Sequence, residues 1–255
     1  MRDMAELPLV LLHAFPVDAR MWNPVREPLA ARRRLITPDQ RGLGRTPLPE
    51  SEHEPSLDVA ARDVLAMLDR LELDRVVLGG CSMGGYVTMA VLRAAPERVG
   101  GLVLIDTKAT ADTEDARNTR LTVAQRAEAE ASTGWLAESM MPKLLGEQTR
   151  EGRPDVVETV RDLVESQRPE GIAWAQRAMA ARPDSTELLR GTDVPTLIIV
   201  GEQDTLTPPE AARALAESMP SAEFAMVGGA GHLTPLEAPE RVSTEVLGWL
   251  ARQRD

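Results

Sequence analysis

Short apolar runs alternate along the chain with longer segments in which apolar residues recur every three or four positions. Six runs read as strands: "LPLVLLH" (7–13), "RLITPD" (34–39), "RVVLGG" (75–80), "GLVLID" (101–106), "PTLIIVG" (195–201) and "AEFAMVG" (222–228). Their continuous Leu, Ile and Val content suits strands covered on both faces, and the alternation with helical segments predicts parallel strands joined by crossover helices. Leu57, Ala61, Val64, Leu65, Leu68 and Leu71 lie at helical spacing behind Ser56, a fitting N-cap. "MGGYVTMAVLRAA" is apolar nearly all round, as expected of a helix packed beneath the middle of a sheet. Thr207 and Glu210 have capping-box spacing with Pro208 between them, so the pattern predicts a helix beginning at Pro208.

The rhythm breaks between about 108 and 192, where no convincing strand occurs. Leu136, Met140 and Leu144 repeat at helical spacing, as do Val156, Val160, Leu163 and Val164. The chain therefore divides into a core made of 1–107 and 193–255 and a helical cap, 108–192, inserted within it. Such an insertion reads as a lid; packed helices without a gating role are the alternative.

At 255 residues and 43% hydrophobic content, the chain can bury one sizeable core. The net charge of −11 repels phosphate backbones and anionic lipid headgroups, which argues against nucleic-acid and membrane partners. Cys81 is the one cysteine, so an internal disulfide and a clustered-thiolate metal site are both excluded. The opening "MRDMAELPLVLLHAF" lacks the basic start and cleavage site of a signal peptide, and no stretch approaches membrane-spanning length. The expectation is a soluble, cytoplasmic protein.

Gly80-Cys81-Ser82-Met83-Gly84 falls between a strand and a helix, where glycines permit a sharp turn that exposes the central side chain. A serine hydroxyl is a poor nucleophile without a base, and the base needs a group to orient it. Three histidines are available. His232 follows the last strand in "GGAGHLTP", whereas His13 reads as a structural hydrogen-bonding residue and His53 as a solvated loop residue. Asp204, after "LIIVGEQ", is the candidate acid, with Asp106 at the end of another strand as its competitor. Cys81 precedes the apex and reads as buried filler; Asp39 and Arg41 read as residues that hold loops together. Trp22, Trp135, Met140 and Trp174 are candidates for lining a substrate pocket, with ordinary core packing as the bland alternative.

Taken in order, "LLHAFP", "PDQRGLGRT", "GGCSMGG", "GEQD" and "GAGH" resemble the oxyanion loop, next-strand loop, nucleophile elbow, acid turn and histidine turn of the α/β-hydrolase family, over essentially the whole chain. The resemblance implies an α/β-hydrolase fold with about six parallel strands, helices on both faces and no N-terminal antiparallel hairpin. It implies that Ser82 attacks an acyl carbonyl, that His232 moves the proton and that Asp204 orients the imidazole. The oxyanion hole it implies is the backbone N–H of Phe15 and of Met83. The motifs look most like those of small esterases, enol-lactonases and cofactor-free haloperoxidases or perhydrolases, and Pro16 after Phe15 resembles the last group. The expected function is a serine hydrolase, free of metal and cofactor, that cleaves a small-molecule carboxylic ester or lactone through an acyl-enzyme. Perhydrolysis or carbon–carbon bond hydrolysis on the same triad are alternatives, as is a non-catalytic small-molecule receptor. The edge strand "RLITPD", beside Arg32, Arg33 and Arg34, needs cover from a helix, charge or a second copy, so a homo-oligomer through this edge is a further expectation.

Overall fold

The computed structural model describes residues 7–49 and 54–253. Each of the six predicted runs overlaps a strand: β1 (Leu9–Leu12), β2 (Leu35–Ile36), β3 (Val76–Cys81), β4 (Val99–Ile105), β5 (Thr196–Gly201) and β6 (Ala222–Val227). They form one parallel sheet in the order β2-β1-β3-β4-β5-β6. Every residue of β1, β3, β4 and β5 is buried, which explains why these strands lack polar alternation. β2 and β6 are only partly covered, as edge strands are. Arg33, beside β2, turns inward and donates to the Leu7 carbonyl at 3.1 Å.

Helix α1 (Asn23–Ala30) packs with α12 (Pro239–Arg252), and α2 (Leu57–Arg70) packs with α3 (Met83–Ala94) against the sheet. Ser56 caps α2 as its spacing predicts, its hydroxyl accepting from Val59 N at 3.3 Å. The helix after β5 departs from expectation. α10 runs from Pro209 to Ser218 with Pro208 at the N-cap position, and the Thr207 side chain does not cap it. That hydroxyl donates to the Asp204 carboxylate, a charge-assisted hydrogen bond.

Between β4 and β5 the described residues contain helices only: α4 (Glu114–Ala129), α5 (Gly134–Leu144), α6 (Glu147–Gly152), α7 (Pro154–Glu165), α8 (Pro169–Ala180) and α9 (Thr186–Arg190). α4 packs along α8, and α5 along α7. The remaining helix, α11 (Thr234–Glu237), follows His232 directly. Among the described residues no helix is long and apolar enough to cross a membrane.

Candidate active site

β3 carries Ser82 to the end of the sheet, and α3 begins at the next residue. Ser82 adopts φ 52° and ψ −112°, a conformation that costs a non-glycine residue of order 1–3 kcal/mol. Two bonds from β4 and its loop hold it there: Ser82 N donates to the Ile105 carbonyl at 2.9 Å, and Thr107 Oγ1 donates to the Ser82 carbonyl at 2.8 Å. The flanking glycines are required by close approach. A Cβ on Gly80 would lie 2.1 Å from the carbonyl carbon of Gly84, and one on Gly84 would lie 2.1 Å from the Leu12 oxygen.

Asp204 occupies the turn after β5 and is buried. Its Oδ1 accepts from Leu206 N at 2.8 Å and Thr207 N at 2.9 Å, while Oδ2 accepts from His232 Nδ1 at 2.8 Å and from the Thr207 hydroxyl. Burial works against the charge on Asp204. The His232 imidazole and the donors from His232 and Thr207 outweigh that penalty and hold its carboxyl below the usual range. Because Nδ1 is committed to the carboxylate, Nε2 is the ring nitrogen left for other work.

A cavity of about 410 Å³ opens over His232, and Phe15, Ser82, Tyr86, Met140 and Met179 are among its other lining residues. Ser82 and His232 thus line one cavity, and Asp204 lies behind His232, each of the three following a strand. Phe15 faces the same space. Met83 is the first residue of α3, so its N–H belongs to the set that has no intrahelical acceptor. The loop after β1 is fixed by His13: its Nε2 accepts from Gln40 N at 2.9 Å and its Nδ1 faces the Ala14 carbonyl at 2.9 Å, while Gln40 Nε2 donates to the His13 carbonyl at 2.7 Å. Burial lowers the His13 pKa, against the pull of the Ala14 carbonyl and of Asp39 and Asp18, so this ring is a neutral brace.

Of the four pocket candidates only Met140 lines this cavity. Trp22 is fully buried core, Trp135 lies under the Arg126 guanidinium at 4.1 Å, and Trp174 lies near Arg41 at 5.6 Å. A larger cavity of about 480 Å³, between the Asp39–Arg45 loop and α2, contains none of Ser82, Asp204 and His232. Asp39 and Arg41 do hold loops: Asp39 accepts from Ala19 N at 2.9 Å and Arg45 N at 3.0 Å, and Arg41 forms a fork with Asp63 at 2.6 and 2.7 Å. Cys81 is buried, as its place before the apex implies. His53 lies outside the described residues.

Asp106, the competing acid, faces elsewhere. Its oxygens accept from Gly201 N at 3.0 Å and from Thr234 N and Oγ1 at 3.0 and 2.8 Å, tying β4 to β5 and to the segment after His232. Burial and then the charge of Asp204 push its carboxyl well above the usual range, against these donors.

Among the site's residues that had no functional reading from sequence are Thr207 and Glu237. Thr207 carried a signal, but its spacing pointed to a helix cap. Glu237 carried none. It is buried at the end of α11 and accepts from Gly231 N at 2.9 Å, Leu233 N at 3.2 Å and Gly146 N at 2.8 Å, so one carboxylate clamps both sides of His232 and the α5–α6 link.

A family model described as the alpha/beta hydrolase fold matches residues 8–239. The chain belongs to the α/β-hydrolase family. This α/β-hydrolase is similar to a thermophilic esterase from Thermogutta terrifontis solved with malate bound, at 40% identity and a TM-score of 0.94, over 98% of this chain and 92% of that one. It is 27% identical to 3-oxoadipate enol-lactonase 1 of Acinetobacter baylyi, over 91% of this chain and 84% of the relative. It is 32% identical, over 96% of its length, to the dihydrolipoyllysine-residue acetyltransferase component of the acetoin cleaving system of Pseudomonas putida, and spans 64% of that relative's length. The parallel sheet is that of an α/β-hydrolase, and among the described residues this member has no antiparallel strand.

Proposed function

We propose that this α/β-hydrolase is a serine hydrolase that cleaves a carboxylic ester or lactone through an acyl-enzyme. The observation that carries the reading is the buried Asp204–His232 hydrogen bond at 2.8 Å behind a cavity that also exposes the strained Ser82. Ser82 Oγ attacks the acyl carbon as His232 Nε2 takes its proton, and the carbonyl electron pair moves onto oxygen. The N–H groups of Phe15 and Met83 receive that oxyanion. On collapse the C–O bond to the leaving alcohol breaks, and the imidazolium returns the proton to the departing oxygen. Water then repeats the sequence on the acyl-enzyme, releasing the acid and free Ser82. Asp204 stays ionised throughout, fixing the Nδ1–H tautomer and stabilising the imidazolium.

The helices between β4 and β5, within 108–192, act as the cap: α4, α5 and α8 each contribute side chains to the cavity wall. Similarity to an esterase and to an enol-lactonase supports the ester or lactone reading. The test is a steady-state screen of short-chain esters and lactones with wild type and Ser82→Ala. Turnover should fall by about six orders of magnitude in the variant, to background. Equal turnover in the two would exclude the assignment.

A further inference from the structure

Of the 29 lysine and arginine residues in the chain only two are lysines, Lys108 and Lys143. Both line the cavity that holds Ser82 and His232. They reach it from separate elements, Lys108 from the loop after β4 and Lys143 from the last turn of α5. Arg120 of α4 is the third cation on the wall, and Asp112 is the one carboxylate.

That carboxylate is already committed. Asp112 accepts from Arg120 Nε at 2.6 Å and from two guanidinium nitrogens of Arg182 at 2.7 and 2.8 Å. Burial opposes its ionisation, but the Arg182 and Arg120 donors prevail and hold its pKa at about 2. Lys108 Nζ stands 3.9 Å from the Asp112 carboxylate, beyond hydrogen-bond reach. Burial and the nearby Arg182, opposed by Asp112, lower the Lys108 pKa from the ordinary lysine value. Lys143 forms no ion pair with a described residue. In a chain with a net charge of −11, the cavity wall thus carries positive charge that its own acid does not neutralise.

We propose that the substrate carries a free carboxylate besides the scissile ester or lactone, as in a half-ester of a short dicarboxylic acid, and that Lys108, Lys143 and Arg120 seat it. This rests on reading the cavity as the site of a serine hydrolase. A wholly apolar acyl chain would strip water from these cations and return no hydrogen bond. A carboxylate returns charge-assisted ones. Lysine suits the task because its compact ammonium rotates three donors toward an oxygen approaching from several directions, whereas a guanidinium offers a fixed fork.

Two measurements test this. The first compares kcat/KM for monomethyl glutarate and methyl pentanoate, which share chain length and leaving group. The anionic ester should be preferred by about tenfold or more at low salt, and the ratio should fall by a similar factor in Lys108→Met and Lys143→Met and with added salt. Lys143 is exposed, so its variant keeps the test alive should Lys108→Met unfold. The second is reductive methylation of wild type followed by peptide mass spectrometry, with glutarate or uncharged glutaramide present. Glutarate alone should protect Lys108 and Lys143. Equal labelling in both, with no preference for the anionic ester, overturns the proposal. Protection by glutarate without hydrolysis of any ester would uphold the carboxylate site and count against the hydrolase reading instead.

Discussion

Thr207 donates its hydroxyl to the same Asp204 oxygen that accepts from His232 Nδ1. The two donors hold that oxygen, and the backbone N–H groups of Leu206 and Thr207 secure the other one. Thr207→Val removes one of these four donors while keeping the shape of the side chain. A hydrogen bond to a charged group contributes about 1.5–3 kcal/mol, so kcat should fall by roughly tenfold or more with KM little changed. Thr207→Ser should restore most of it. Steady-state kinetics on both variants decide the point.

Asp204 and Asp106 are both buried carboxyls at strand ends, yet only Asp204 meets the imidazole. Asp204→Asn should cost about four orders of magnitude in kcat, whereas Asp106→Asn should retain at least about a tenth of it. Reversal of that order would transfer the orienting role to Asp106.

The Asp106 carboxyl also sets a pH dependence of stability. Its folded pKa is raised, so folding favours its protonated form, and the stability it contributes is present below the unfolded carboxyl value and is lost as pH rises toward the folded one. Asp106→Asn is uncharged at every pH. Its melting temperature relative to wild type should therefore be higher at pH 8 than at pH 4.5, and a difference that does not change with pH would contradict the account.

Glu237 secures three N–H groups around His232 and the α5–α6 link. Glu237→Ala leaves all three buried without their acceptor, at a cost of about 3 kcal/mol or more. Urea unfolding should show that loss, and activity should fall even at temperatures where the variant remains folded.

Much of this architecture could be read from the sequence because the signals are local. Unbroken runs such as Val76–Cys81 are buried on both faces, and an elbow of Gly80, Ser82 and Gly84 admits few backbones. Side-chain direction is not local. Thr207 has the spacing of a helix cap, and although the Asp204 carboxylate that takes its hydroxyl lies only three residues earlier, that carboxylate is also bonded to His232, 28 residues away. Trp22, Trp135 and Trp174 have the size for a pocket wall, but which face of a helix meets a cavity depends on neighbours far along the chain. Glu237 was illegible for the same reason: its partner Gly146 lies 91 residues away. Lys108 and Lys143 stand out only once the fold places both in one cavity.

The elbow offers a contrast of its own. Gly84→Ala would force a Cβ to within 2.1 Å of the Leu12 oxygen, whereas the same change at Gly134, at the start of α5, meets nothing within 4 Å. Gly84→Ala should abolish activity and lower the melting temperature. Gly134→Ala should leave melting unchanged or raise it.

The central claim is that Ser82 is an activated nucleophile. Intact-mass spectrometry after treatment with a fluorophosphonate, on wild type and on Ser82→Ala, tests it most directly. Wild type should take a single covalent adduct, mapped to Ser82 and missing from the variant. A folded wild-type protein that takes no adduct, or a Ser82→Ala protein that takes the same one, would contradict it.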